Sequence, residues 1–358
     1  MPLEKTFSEN IKKFRTKENI TQKELAEKIG YSDKTVSKWE SGGCLPSVEA
    51  LLRISTALKT DINTLLCNSD KTYYLGIDGG GTKTDLILAD SNGNIIREAQ
   101  TDQCNPFDIG AEKAIGVLKN AIYEICGDIP FSSTVMFAGI AGMIAGEYKK
   151  DFKDFFDSLH FKNYSLGSDN DNIIRAGLGK GDGISVIMGT GICIFAVSKG
   201  ERHRISGWGY LFDEGGSAYN IGRDGLSAYF SYLDGSGKYT SLFERISKTE
   251  PSSQKLLTSL YSGGKKEIAS YSMLVFEEAK KGDKICIGII ERNIKVVAEL
   301  IKSAARHIGS PCKCIIAGGL TDNVISRLNE LLGGVVTAEK LGVKPVMGAL
   351  NLAKEIKQ

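Results

Sequence analysis

The stretch YYLGIDGGGTKTDLILAD, residues 73–90, sets three consecutive glycines between two apolar runs. Both runs read as strands and the glycines as a tight turn joining them. A second stretch, GISVIMGTGICIFAVSKGERHRIS at 183–206, repeats the order strand, glycine turn, strand, turn, strand. Such self-similarity predicts a body of two lobes built alike, with two glycine hairpins facing a cleft.

The remaining body pattern follows from the same reading. NIIREAQT continues the first lobe as a third strand after the hairpin signal DSNGN. A helix over 111–126, a buried strand STVMFAGIAG, a helix over 145–158, a strand NYSLGSD and a helix over 172–179 complete it. In the second lobe, 219–308 reads as largely helical, CKCIIAGGLTD as a strand entering a Gly-Gly turn, and NVISRLNELL and KPVMGALNLAKEI as helices.

Residues 6–67 differ in kind and read as five short helices. TQKELAEKIG opens with Thr21 and carries Glu24 three positions on, a capping box, and stops at Gly30. YSDKTVSKWESG restarts at Ser32 with Val36 and Trp39 inward and Asp33, Lys34, Thr35 and Lys38 outward. Two short helices joined by a glycine turn form a helix-turn-helix, whose second helix enters a major groove. Lys34 and Lys38 suit phosphates or guanine edges, Thr35 is a small donor, and Gln22 heads the preceding helix. Residues 1–71 hold twelve Lys/Arg and ten Asp/Glu, so one copy binds DNA weakly and a homodimer is expected. The sequence divides as head 1–67, linker 68–71 (within the polar run CNSDK), first lobe 72–182 and second lobe 183–358 with a helical insertion.

The net charge of +2 argues against a whole-molecule polyanion partner. Eight scattered cysteines with no CxxC pair, and only three histidines, argue against zinc and disulfide frameworks. No run approaches the ~20 apolar residues of a membrane span, and MPLEKTFSEN lacks a signal pattern, so a cytoplasmic protein without membrane contact is expected.

A tight glycine turn brings backbone close to phosphate oxygens. Gly79, Gly80 and Gly81 form one such turn, with Thr82, Lys83 and Thr84 adding hydroxyls and charge. Gly189, Thr190 and Gly191 form another, and Gly318 and Gly319 a third where adenosine can lie against backbone. Asp78 suits Mg²⁺. Asp171, in LGSDNDNIIRAG, is placed at a helix N-terminus, where an acid serves as a cap or as a general base. Asp169 competes for the catalytic role.

TQKELAEKIGYSDKTVSKWESGGCLPSVEALLRISTAL resembles the XRE/Cro family of DNA-binding domains, which implies operator DNA as partner. GIDGGGTKTD, CNP, SDNDN, IMGTGICIF, SGWGYLFDEGGSAYNIG and IIAGGL, spanning 74–319, resemble the BadF/BadG/BcrA/BcrD ATPase family, which includes N-acetylglucosamine kinase. That resemblance implies two ribonuclease-H-like lobes of the actin-like ATPase fold, with ATP and Mg²⁺ in the cleft and Asp171 as the base. It implies an N-acetylhexosamine, N-acetylglucosamine or N-acetylmuramic acid, phosphorylated at the 6-hydroxyl. Asn105 matches the family's sugar-contacting asparagine. Trp208, Asp213 and Glu214 fall in the sugar loop, where the chain reads Phe-Asp-Glu-Gly-Gly-Ser against the family's Gly-Asp-Glu-Gly-Ser. Either acid serves as the sugar ligand, and core packing is the competing role for Trp208. Two rival readings are a non-catalytic amino-sugar or ATP sensor controlling transcription and, ranked lower, an activator of a 2-hydroxyacyl-CoA dehydratase, whose cysteine-held cluster Cys312 and Cys314, on one strand before the adenosine turn, are not placed to bind.

Overall fold

The computed structural model describes residues 3–66, 71–143, 148–309 and 311–357. Most of the expected linker, Cys67 and the start of the helix expected from 145 lie outside these residues.

The head consists of α1 (Leu3–Lys17), α2 (Gln22–Ile29), α3 (Asp33–Glu40), α4 (Val48–Ala57) and α5 (Ile62–Leu66). The capping box is present: Thr21 accepts from the Glu24 backbone N–H while Glu24 takes the Thr21 N–H at 2.6 Å. Gly30 ends α2 in the left-handed region, and Ser32 caps α3 through the Thr35 N–H. Phe7, Ile11, Leu25, Ile29, Val36, Trp39 and Ile54 form a core separate from those of the sheets. One polar knot joins three helices. Arg15 Nε and Nη2 donate to Glu40 Oε1 and Oε2 at 2.5 and 3.0 Å, and Gln22 Nε2 donates to Oε2 at 2.8 Å.

The body begins with β1 (Tyr73–Gly79), β2 (Lys83–Ala89) and β3 (Ile95–Asp102). Then follow α6 (Pro106–Ile109), α7 (Ala111–Cys126), β4 (Thr134–Ile140), α8 (Tyr148–Ser158) and β5 (Asn163–Gly167). The strand order is β3-β2-β1-β4-β5, antiparallel through the first three and parallel from β1 to β5. Leu75, Ile77, Leu86, Leu88, Met136 and Ala138 pack with α7 and α8 residues into its core. The head meets this part at the short turn Phe131–Ser133, where Thr64 and Ser132 hydroxyls hydrogen-bond. Asn10 Nδ2 holds the end of α5 by donating to the Thr64 and Leu65 carbonyls.

After α9 (Asp169–Gly177) the pattern repeats: β6 (Gly183–Met188), β7 (Ile192–Ser198) and β8 (Glu201–Ser206). The insertion is α10 (Ala218–Leu233), α11 (Leu242–Thr249), α12 (Ser253–Ser270), α13 (Ser272–Lys280) and α14 (Lys284–Ala305). β9 (Cys312–Ala317), α15 (Thr321–Leu332), β10 (Val336–Lys340) and α16 (Val346–Glu355) close the chain. The second sheet runs β8-β7-β6-β9-β10 with the same antiparallel and parallel pairings, so the duplication seen in the sequence is topological. These are the two mixed sheets expected. β10, which the sequence reading missed, pairs with β9.

By packing, the chain divides into Met1–Ser168 with Ala349–Gln358, and Asp169–Gly348. In the first unit the tail of α16 crosses β1 closely: a Cβ on Gly76 would lie 2.4 Å from the Leu350 nitrogen. In the second, Gly318 has φ +110° and lies against the end of β6, where a Cβ would fall 2.3 Å from the Met188 carbonyl oxygen.

Candidate active site

The three glycines of the first turn have different reasons to be glycine. A Cβ on Gly79 would sit 2.4 Å from Cys104 Sγ, so its constraint is packing. The Gly80 N–H closes the turn onto the Lys83 carbonyl at 2.9 Å and is spent within the protein. A Cβ at Gly80 would meet nothing closer than 3.5 Å, and at Gly81 the nearest atom is Asp108 Oδ2 at 3.3 Å. Thr82 and Lys83 are exposed. Thr84 is not available as a ligand: it is fully buried and its hydroxyl donates to the Asp102 carbonyl at 2.8 Å. Lys83 pairs with Asp85 at 2.8 Å, and Gln100 donates to the same carboxylate at 2.6 Å.

Asp78 lies directly opposite Asp85 in the β1–β2 ladder, so the two side chains share a face. Like charges opposed this way repel unless cations intervene. Lys83 supplies one such charge, and a divalent cation at half-buried Asp78 would supply another. Asn105 caps α6, accepting from the Phe107 N–H at 3.1 Å and donating to Asp108 Oδ2 at 3.0 Å beside Gly81.

In the second unit, Gly189 N–H closes its turn onto Gly191 O at 2.9 Å. The carbonyls of Gly189 and Thr190 accept from the Ala218 and Tyr219 N–H groups, which ties the turn to the start of α10. Added Cβ atoms at Gly189, Gly191 and Gly319 would meet nothing within 4 Å. Open space at those three glycines fits close approach of a ligand to backbone.

α9 starts at Asp169 and not at 172, so both acids lie within its first turn and not ahead of it. Asp169 Oδ1 accepts from the Asn170 N–H at 3.0 Å. Burial pushes its carboxyl up to about 6, against the lowering effect of that backbone bond. Asp171 is 6% exposed and ion-paired with Arg202 from β8. Asn170, between them, is 1% exposed, and its side-chain amide has no hydrogen-bond partner among the described residues. The neighbouring Cys193 thiol is pushed up to about 12, first by burial, then by the charges of Asp169 and Asp213, with Arg204 acting oppositely. Electrostatically these four residues are neighbours.

The loop after β8 separates the two candidate sugar acids. Asp213 Oδ1 accepts from Ser206 Oγ and the Gly207 and Trp208 N–H groups at 3.1–3.2 Å, while Oδ2 accepts from Gly209 N–H at 3.1 Å. Asp213 therefore organises the loop. Glu214 is exposed. Trp208 is 67% exposed and is not core; Arg204 stacks on its ring at 4.9 Å. Sequence reasoning missed Arg202 and Arg204, although ERHRIS places them on one face of a strand at alternate positions. Cys312 and Cys314 lie in β9, flanked by β6 and β10, with Cys314 fully buried.

On the head, Asp33, Lys34 and Lys38 of α3 are exposed. Thr35 is half-buried and its hydroxyl bonds with Ser32 Oγ at 2.8 Å, so it completes the cap. Gln22 is half-buried and braces Glu40. Lys34 and Lys38 thus remain as outward cations of the recognition helix.

The profile of the BadF/BadG/BcrA/BcrD ATPase family matches residues 75–353, and that of a helix-turn-helix family matches 11–65. The N-acetylmuramic acid/N-acetylglucosamine kinase of Clostridium acetobutylicum is 28% identical over 264 residues, covering 70% of this chain and 86% of that one. An HTH-type transcriptional activator of Enterococcus faecalis is 39% identical over 64 residues, 18% of this chain and 31% of that regulator. The crystal structure of a putative N-acetylglucosamine kinase from Chromobacterium violaceum superposes with TM-score 0.67 at 21% identity, covering 79% of this chain and 99% of that one. That likeness places the body in the actin-like ATPase and sugar-kinase fold.

Proposed function

The chain belongs to the BadF/BadG/BcrA/BcrD ATPase family, and from that we propose an ATP-dependent N-acetylhexosamine kinase joined to a sequence-specific DNA-binding head. The acceptor is N-acetylglucosamine or N-acetylmuramic acid and the phosphorylated group its 6-hydroxyl. One observation carries the catalytic part: Asp169 sits half-buried in the first turn of α9, where burial raises its carboxyl to about 6. A general base works best when its pKa lies near the working pH. Asp169 takes the proton of the acceptor hydroxyl as that oxygen attacks the terminal phosphoryl group. Asp171 is already engaged in an ion pair with Arg202, which leaves Asp169 the freer carboxylate.

The remaining roles follow the placement of each residue. Gly80, Gly81 and Thr82 in one unit, and Gly189, Thr190 and Gly191 in the other, are assigned to the phosphates, Gly319 to adenosine, and Asp78 to Mg²⁺. When bound, Mg²⁺ neutralises charge on the phosphate oxygens. Thr84, Gly79 and Gly318 support these turns from inside. Glu214 accepts from sugar hydroxyls, while Asp213 shapes the loop that presents it. Asn105 and Trp208 complete the acceptor side. The head binds DNA as a homodimer in a cytoplasmic protein; no helix among the described residues is long and apolar enough to cross a membrane.

An ADP-release assay with Mg-ATP and a panel of amino sugars tests the reading. Sugar-dependent release is expected. Sugar or ATP binding without release would support the sensor instead. Within that assay, Glu214→Gln is expected to raise the sugar KM about tenfold, the scale of one lost charge-assisted bond, and to leave Trp208 emission unchanged. Asp213→Asn places an amide where four donors converge, so the loop loosens and Trp208 emission shifts with the KM. Equal emission changes in both variants would contradict this division of roles.

The head is tested without knowing the operator, because phosphate contacts are sequence-independent. On a random 30-base-pair duplex, Lys34→Ala with Lys38→Ala is expected to reduce the slope of log affinity against log salt by about 2, near 0.9 per phosphate contact. Phosphorylation should be unaffected. An unchanged slope would remove α3 from the DNA-contacting face.

A further inference from the structure

Arg202, Arg204 and Ser206 belong to β8, the edge strand of the second sheet, whose register against β7 shifts between Arg204 and Ser206. The first ends on Asp171 and the last on Asp213 Oδ1. Arg204 follows Arg202 by two positions and comes just before the sugar loop in the chain. Its guanidinium stacks over Trp208 at 4.9 Å and over Phe195 at 5.3 Å, with one weak contact from Nη1 to the Gly207 carbonyl at 3.4 Å. Arg204 makes no ion pair among the described residues, while Arg202 beside it does. Asp213, the acid closest in the loop, has spent its carboxylate on Ser206 and three backbone N–H groups. Exposed Glu214 carries the other negative charge of that loop and has no bond to Arg204.

A guanidinium in contact with two rings has lost much of its rotamer freedom yet keeps its edge donors. Such a fork matches a carboxylate through two parallel bonds. A neutral sugar gives it nothing to neutralise. Arg204 touches the Trp208 ring assigned above to the acceptor side, and Asp169 and Arg204 both act on the Cys193 thiol.

We propose that Arg204 and the face of Trp208 form an anion subsite that reads a carboxylate on the acceptor, so that the chain prefers carboxylate-bearing N-acetylhexosamines to neutral ones. This rests on the acceptor site described above and narrows its substrate class. The carboxylate takes no part in the chemistry; Arg204 sets specificity.

Calorimetric binding to the full chain tests it with three probes: N-acetylglucosamine, N-acetylmuramic acid and the methyl ester of the latter. In the unaltered protein the acid should bind at least about tenfold more tightly than its ester, the scale of a bidentate charge-assisted pair. R204M should abolish that gap, R204K should retain part of it, and rising salt should narrow it. Equal binding of acid and ester, or a gap that survives in R204M, would overturn the subsite. Binding also separates this inference from the kinase reading. A gap without turnover keeps the subsite and sinks the kinase; turnover without a gap does the reverse; no binding of any probe counts against both.

Discussion

Asp169→Asn is expected to lower kcat by about 10²–10⁴-fold, the usual yield of a positioned general base, while sugar and ATP affinities stay within a few-fold. Asp171→Asn should cost much less in kcat, and part of that loss should come from Arg202, left without its partner. The pH dependence adds a second signature. A base raised to about 6 is protonated below that value, so kcat should climb through pH 6 and level off above it. Stability should run the opposite way. A carboxyl whose pKa is raised on folding favours the native state fully below its unfolded pKa of ~3.9, and that contribution is lost as pH rises through about 6. The asparagine variant carries no such charge. It should therefore melt a few degrees above the parent at pH 8 and match it at pH 3.5. A variant that loses activity and melts lower at pH 8 would show Asp169 to be a structural acid. Retained kcat in Asp169→Asn with loss in Asp171→Asn would return the base to Asp171.

What the sequence made legible was mostly local. Thr21 with Glu24, Gly30 and Ser32 announced α2 and α3 because a cap is a contact among residues close in the chain. The two glycine hairpins announced the duplication for the same reason, and both sheets share one strand order. The errors have physical causes too. Thr84 looked like a phosphate ligand beside Thr82, yet the strand period puts it on the face of Leu86 and Leu88, all three fully buried. That signal was present in the alternation. The start of α9 was misplaced because an Asp at a strand end reads equally as a cap and as a first helical turn. β10 stayed hidden because it is five residues long and its partner β9 lies more than twenty residues earlier. The Arg202–Asp171 pair and the four bonds to Asp213 exist only once β8 and α9 are placed, so no spacing rule reaches them. Chemistry-bearing residue types were legible, but which of two neighbouring acids is free to react was not.

Glu40→Ala is expected to unfold the head while leaving the two sheets folded. Glu40 sits at the end of α3 with its side chain 4% exposed, and Arg15, 15% exposed, pairs with no other carboxylate among the described residues. Burial alone would raise Glu40, but the bonds from Arg15 and Gln22 outweigh it and hold the carboxyl below its ordinary value. Removing one partner of a buried pair costs about 3–5 kcal/mol, because the other charge stays desolvated. A domain of this size holds roughly 3–9 kcal/mol in total. The head has its own core, so the loss should not spread to the sheets. Trp39 and Trp208 are the two tryptophans, and Trp39 is buried in the head. In a Trp208→Phe background, Trp39 emission therefore reports the head alone. Glu40→Ala should shift its transition down by some tens of degrees and abolish DNA binding at 25 °C. ATP turnover, compared within the same background, should persist. The paired change Arg15→Met with Glu40→Leu should restore most of the stability, since well-packed apolar groups replace a buried ion pair at little cost. The pH dependence has a fixed sign. A carboxyl lowered on folding contributes fully above its unfolded pKa of ~4.3 and ceases to contribute as pH falls through its folded value. Head and body should therefore separate on acidification, with Trp39 emission reporting head unfolding first. A single shared transition, or DNA binding that survives Glu40→Ala, would show that the knot is not what holds α3 in place.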